Sequence, residues 1–272
     1  MKVGLVGFGK AGKAVASVLL QSSEVSLQWV LRKSHTLEHR SVPEFLGIGA
    51  AEPGFIYSTD EFRPDRLLDK LPVEVIIDFS SAAGVEYYGA AAAERGIAII
   101  SAISHYEPRQ LEQLRQLARH TRVVWSPNIT IGINFLMIAA KILKNIAPYT
   151  DIEVMEEHFK AKKEVSGTAR KIATVLELPQ EAIKTVRAGG IIGVHEILFG
   201  FPYQTVRLKH ESITREAFGN GVLFAASHIG GREPGLYDME DLLLPYFNVP
   251  SSSPGSEAGT PPARQRPTLE YS

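Results

Sequence analysis

The chain has 272 residues, 44% of them hydrophobic, and a formal net charge of −1. That length supplies a large core and points to two domains, while the near-zero charge gives no global field for nucleic acid or an anionic membrane. Cysteine is absent, which excludes disulfides, thiolate catalysis and cysteine-ligated metal sites, and fits a cytoplasmic protein.

The first residues, MKVGLVGFG, lack the long apolar core and small-residue cleavage site of a signal peptide. Val3 to Val6 reads as a strand, Lys10 to Leu20 as a helix and Leu27 to Leu31 as a second strand, a unit that requires a parallel crossover. Val73 to Phe79, Ile97 to Ile100 and Arg122 to Trp125 read as further strands. Helices are expected between them, near Ala82–Arg95 and Glu107–His120. This alternation predicts an α/β domain with a Rossmann-like, doubly wound parallel sheet.

The pattern changes after Pro127-Asn128. A helix is expected from Ile133 to Ile146; the apolar run around it is broken by Gly132, Asn134, Lys141 and Lys144, so it reads as a buried helix and not a membrane span. Asp151–Phe159, Gly190–Phe199 and Gln204–His210 read as strands of a more antiparallel layer, with a helix starting near Ser166. Thr214–His228 returns to helical spacing. The expected division is a dinucleotide-binding domain, 1–127 plus 215–248, and an α+β substrate and oligomerisation domain, 128–214. The Pro-, Ser- and Gly-rich tail, 249–272, is expected to be disordered.

Gly7-Phe8-Gly9-Lys10-Ala11-Gly12 is a G-x-G-x-x-G that directly follows the first strand and opens the first helix. Gly7 allows a tight turn, Gly9 lets a pyrophosphate approach the backbone, and Gly12 lets the helix pack on the strand. The bland alternative is an ordinary glycine turn. At the end of the second strand, where an NAD enzyme places an acid for the ribose, this chain has Arg32-Lys33-Ser34. Two cations and a hydroxyl suit a 2′-phosphate, so NADPH is favoured over NADH, against the alternative of a solvated strand end.

The segment EEHFKAKKEVSGTA, Glu156 to Ala169, concentrates the remaining chemistry. Ser166, Gly167 and Thr168 offer two hydroxyls and consecutive N–H donors to an anion at a helix N-terminus. Lys162 adds a positive charge, and His158 moves a proton near neutral pH. The alternative is a solvated loop before an ordinary capped helix. The other histidines are weaker candidates: His195 and His210 on predicted strands read as structural, and His35, His39, His105 and His120 as surface or loop residues. No spacing suggests a metal site.

These motifs together resemble the dihydrodipicolinate reductase (4-hydroxy-tetrahydrodipicolinate reductase) family. The resemblance also takes in DFSS (78–81), SPNITIGIN (126–134), RAGGIIGVHEILF (187–199) and FGNGVLFAASHIGGREPGLYDMEDLL, and covers residues 1 to about 245. It implies NAD(P)H-dependent reduction of 4-hydroxy-tetrahydrodipicolinate in diaminopimelate and lysine biosynthesis. His158 and Lys162 are then catalytic, Ser166–Gly167–Thr168 cradle a substrate carboxylate, and Ser101, Ala102, Ile103, Ser126 and Asn128 join the cofactor site. It further implies a homotetramer, and closure about segments near Asn128 and Thr214.

The chain departs from the family pattern where Phe159 replaces a substrate-contacting histidine, where Val165 replaces the cradle's proline, and where Ser101–Ser104 replaces a Gly-Thr-Thr-Gly turn. Two alternatives follow: a relative reducing another carboxylated cyclic imine, and a catalytically inactive nucleotide-binding sensor. Retention of His158 and Lys162 argues against the sensor.

Overall fold

The computed structural model describes residues 1–248; the expected tail, 249–272, lies outside the described residues. Its first part runs β1 (Lys2–Val6), α1 (Lys10–Gln21), β2 (Ser26–Arg32), α2 (Val42–Leu46), β3 (Phe55–Ser58), α3 (Pro64–Lys70), β4 (Val75–Asp78), α4 (Gly84–Glu94), β5 (Ala98–Ser101), α5 (Pro108–Leu117) and β6 (Arg122–Trp125). Then come α6 (Ile131–Ile146), β7 (Asp151–His158), α7 (Gly167–Val175), β8 (Ile183–Arg187), β9 (Val194–Gly200) and β10 (Thr205–Glu211). α8 (Ala217–Ile229), β11 (Gly235–Tyr237) and α9 (Met239–Leu243) follow.

Seven strands form one parallel sheet in the order β11-β6-β5-β4-β1-β2-β3. Every residue of β4 and β5 is buried, as a parallel sheet covered on both faces requires. Alternate side chains serve opposite layers. Val3, Leu5, Val75, Ile77 and Ile100 pack with Val15 and Leu19 of α1 and Val222 and Ile229 of α8. Val6, Ile76 and Ile99 pack with Leu67 of α3, Val85 and Tyr88 of α4, and Leu114 of α5. The strand order reverses between β1 and β4, which opens a crevice at their carboxyl ends.

The second sheet has the order β10-β9-β7-β8. Two of its pairings are antiparallel, but β7–β8 is parallel. β8 escaped the sequence reading because IKTVR has no buried position and no apolar alternation. Likewise α2, β3 and α3 lie in a stretch, 35–72, where elements of four to seven residues carry too little periodicity to stand out. The Gly190–Phe199 strand begins only at Val194.

One face of the second sheet packs on α6 and α7. Its row of inward residues is apolar at one end: Val154, Ile197, Phe199 and Leu208 meet Ile133, Met137 and Ile172. At the other end the same face turns ionisable, with Glu156 and His158 on β7, His195 on β9 and His210 on β10. α6 belongs to both halves, since Ile138 joins the first core and Leu136 the second. The chain then returns: α8 packs on α1, and β11 pairs with β6 at the edge of the large sheet.

That return depends on a close approach. A Cβ at Gly221, inside α8, would lie 1.9 Å from the carbonyl oxygen of Ile129. Alanine would improve helix propensity by about 1 kcal/mol, but a backbone clash of this kind costs about 1–3 kcal/mol or more. We expect Gly221→Ala to lower the urea-denaturation midpoint. An unchanged or raised midpoint would contradict this packing.

Candidate active site

The crevice at the strand reversal measures about 520 Å³ and is lined by Gly7, Phe8, Gly9, Arg32, Lys33, Ser34, Phe79, Ser80, Ser81 and Tyr87 among others. Gly7 has φ +95°, and a Cβ there would lie 2.6 Å from the Phe79 carbonyl. A Cβ at Gly12 would meet the Gly7 oxygen at 2.1 Å. At Gly9, by contrast, a side chain would meet nothing within 4 Å. The turn is thus built tight behind and open in front, at the N-terminus of α1, which is what an approaching pyrophosphate needs. Phe8 is buried against Phe45, at 5.8 Å between ring centroids, so it braces the turn.

Arg32, Lys33 and Ser34 share this crevice with the glycine turn, as the phosphate reading requires. Asp78, at the end of β4, is fully buried and accepts hydrogen bonds from the Ser80 amide (2.8 Å), the Ser80 hydroxyl (2.6 Å) and the Tyr88 phenol (2.8 Å). Burial raises its pKa, and these donors oppose the rise. Lys10 faces a neighbouring cleft of about 510 Å³ with Lys13, Thr214 and Arg215, the last of which the sequence reading did not single out. Ala11 lies in the first turn of α1 between them.

The turn after β5 is held by contacts within the protein. The Ser101 side chain is fully buried and bonds the Tyr106 hydroxyl at 2.8 Å. The Ala102 amide donates to the Asp78 carbonyl, and the Ile103 carbonyl accepts from the Trp125 indole. Ser126 is also buried, with its hydroxyl donating to the Asn128 carbonyl at 2.7 Å. Asn128 itself accepts from Thr130 and donates from Nδ2 to Thr168 Oγ1 at 3.2 Å. The polar groups of Ser101, Ser126 and Asn128 are therefore engaged with protein, and Asn128 ties the end of the large sheet to the anion cradle.

The cradle is the N-terminus of α7. Ser166 caps it, accepting from the Thr168 amide at 3.2 Å, and its Oγ lies 2.9 Å from His195 Nε2. A side chain at Gly167 would meet nothing within 4 Å, so the helix end is uncovered. His195, read as structural from sequence, is thus part of the site. Its pKa is lowered to about 3, first by burial and then by the positive field of His158. It stays neutral across the physiological range.

His158 is nearly buried and its Nδ1 lies 2.5 Å from Glu156 Oε2. Its Nε2 is turned toward Gly193, where a Cβ would come within 3.2 Å, so glycine leaves room for the ring. Glu156 is fully buried. Burial disfavours its charge, yet hydrogen bonds from Arg187, His158 and the Ser166 amide outweigh this and hold its pKa below the usual carboxylate range. Among the described residues no carboxylate lies within 4.0 Å of the Lys162 ammonium, whose field reaches His195. Phe159 is 43% exposed and follows the end of β7, beyond the core of the sheet.

His210 lies across from His195 on the same sheet face, with a buried Nδ1 that has no partner and a ring against Gly132. The fold also gathers Glu38, His39 and Glu61 at the surface, with ligand atoms within 4.8 Å of one another. Their separation in the chain hid this from sequence spacing; His39 Nε2 lies 3.0 Å from both Glu61 oxygens, the geometry of an ion pair.

Two family descriptions match this chain: "Dihydrodipicolinate reductase, N-terminus" over residues 1–129 and "Dihydrodipicolinate reductase, C-terminus" over 129–243. The 4-hydroxy-tetrahydrodipicolinate reductase of Myxococcus xanthus is 31% identical over 203 residues, 66% of this chain and 75% of that protein. The protein of that name from Nitratidesulfovibrio vulgaris (strain DP4) is 28% identical over 261 residues, 86% of this chain and 96% of its own. Among solved structures, a dipicolinate-bound dihydrodipicolinate reductase from Paenisporosarcina sp. TG-14 matches with a TM-score of 0.73 at 22% identity, covering 89% of this chain and 98% of its own. An amine dehydrogenase from Mycobacterium smegmatis matches with a TM-score of 0.61 at 12% identity, covering 89% and 95%. At these identities the structures speak for the fold.

The neutral His195 has a consequence for stability. The folded chain refuses, down to about pH 3, a proton that the unfolded chain takes up near the ordinary value of 6.5. Stability is therefore lost as pH falls below that ordinary value, at up to about 1.4 kcal/mol per pH unit for this one proton. Urea denaturation at about pH 7.5 and about pH 5 measures the loss. We expect His195→Gln to make the difference between the two smaller; an unchanged difference would contradict the assignment.

Proposed function

The chain belongs to the dihydrodipicolinate reductase family, and we propose that it reduces 4-hydroxy-tetrahydrodipicolinate to tetrahydrodipicolinate with NADPH, in diaminopimelate and lysine biosynthesis. It is an oxidoreductase of the nicotinamide-dependent kind. The observation that carries the reading is the meeting, on one sheet face, of a buried Glu156–His158 pair with an uncovered, hydroxyl-lined helix N-terminus.

The glycine turn and Arg32, Lys33 and Ser34 would hold the cofactor, which when bound supplies a hydride to the unsaturated cyclic imine formed when the substrate's 4-hydroxyl leaves as water. Ser166, the Gly167 amide and Thr168, with the charge of Lys162, fix one substrate carboxylate and so orient the acceptor carbon. Glu156 holds His158 by Nδ1, which leaves Nε2 as the ring nitrogen for proton transfer. From Nε2 the ring passes a proton to the reduced substrate, while neutral His195 steadies Ser166. Phe159, standing where relatives in this reading carry an imidazole, presents an apolar edge to the substrate.

The NADPH preference rests on two cations and a hydroxyl in the crevice, with the nearest following acid, Glu38, paired to His35 at 3.2 Å. Assembly as a homotetramer through the second sheet fits Val186, which stays 48% exposed on the face away from α6 and α7. Among the described residues no helix is long and apolar enough to cross a membrane, and the biosynthetic role goes with the cytoplasm.

The test is oxidation of NADPH, with NADH in parallel, using acceptor generated in situ from pyruvate and aspartate semialdehyde by the preceding synthase. We expect rapid acceptor-dependent turnover, faster with NADPH at low concentration. His158→Ala and Lys162→Ala should each lower kcat by about 10²–10⁴-fold without weakening cofactor binding. Cofactor binding without turnover would reject this substrate and direct the search to other carboxylated cyclic imines.

A further inference from the structure

Arg187, the last residue of β8, spends its whole side chain on the catalytic apparatus without facing the substrate. A guanidinium has five N–H donors in a planar fork. Here Nη1 donates to Glu156 Oε2 (2.9 Å) and the Val186 carbonyl (2.8 Å), and Nη2 to Glu156 Oε1 (2.6 Å) and the Glu164 carbonyl (3.0 Å). Nε donates to the Lys162 carbonyl (2.9 Å). Every donor has an acceptor, and the acceptors belong to two separate parts of the site. One is the carboxylate that holds His158. Two others are backbone carbonyls of the loop that carries Lys162, and the last is the Val186 carbonyl of its own strand.

We propose that Arg187 is a positioning residue that sets His158 and Lys162 in register with each other, clamping the Glu156 carboxylate with Nη1 and Nη2 and the Lys162–Glu164 loop with Nε and Nη2. Other contacts hold the loop at its ends: the Lys160 amide donates to the Gly189 carbonyl (3.1 Å), the Lys162 amide to the Phe159 carbonyl (3.0 Å), Glu164 lies 4.0 Å from Arg170, and Val165 packs on the second core. The parallel pairing of β7 with β8 brings Arg187 directly beside His158, so the clamp is built into the sheet register. This inference rests on the reductase reading for its kinetic readout, and not for its structural one.

The charged and titratable groups around Glu156 are His158 on its own strand, His195 across from it on β9, Arg187 from β8, and the Ser166 amide at the start of α7. Arg187 is a main reason that Glu156 keeps its charge in a buried place. Without that cation the carboxyl takes up a proton at higher pH, and with the proton it loses its grip on His158. The acid limb of the kcat–pH profile should then move to higher pH. A lysine offers a charge without the fork, so it restores the electrostatics and not the loop.

The experiment compares wild type, Arg187→Met and Arg187→Lys by three readouts. Carbon-13 NMR of the substrate-free protein follows the Glu156 carboxyl; hydrogen exchange follows residues 159–165; kcat and KM are taken across pH. For Arg187→Met we expect the Glu156 titration and the acid limb both to move to higher pH, faster exchange in the loop, and kcat to fall by up to about 10²-fold. For Arg187→Lys we expect the titration to stay near wild type while the loop still exchanges faster and kcat is only partly restored. A Glu156 titration and loop exchange unchanged in Arg187→Met would overturn the proposal, as would full rescue by lysine. Should wild type show no turnover, the reductase reading fails, and NMR and exchange still decide the clamp.

Discussion

Glu156 keeps a negative charge with no surface in water, and it does so because everything around it donates. Arg187 approaches from β8, His158 from two residues along its own strand, and the Ser166 amide from the start of α7. A buried carboxylate without such partners would be strongly disfavoured. The same contacts place an imidazole, the N-terminus of α7 and the lysine loop within one constellation. The cost of burying the charge is offset only when all three are in place, so the interaction that is hardest to satisfy also organises the site.

The large sheet supplies the other half. Its strand reversal between β1 and β4 opens the crevice, and the front of the turn at Gly9 is clear, as the proposed cofactor site needs. Asn128 connects the two halves: it sits between β6 and α6 and bonds Thr168 in the cradle. A shift of either half at this point would alter the spacing between the crevice and the N-terminus of α7.

Much of this was legible in the sequence where physical signals are local. The strand–glycine–helix opening, the fully buried strands and the Ser-Gly-Thr helix start each follow from composition and spacing. His158 and Lys162 stood out by their neighbours in the chain. What could not be read was set by register. His195 joins the site only because β9 pairs antiparallel to β7, which places it opposite Glu156. Arg187 joins because β8, a strand without apolar alternation, pairs parallel to β7. The burial of the Ser101 and Ser126 hydroxyls was likewise not legible, since it depends on Tyr106 and Asn128 as partners.

The central claim is that the Glu156 carboxylate makes His158 and the cradle into one working site. Glu156→Gln keeps the size of the side chain and removes the charge, so kcat of this variant, measured beside its NADPH affinity, tests the claim most directly. The account predicts a fall in kcat of at least about 10²-fold with cofactor affinity unchanged. Turnover within about twofold of wild type would contradict it, because the loss of a general acid's partner cannot be that small if the pair acts as described.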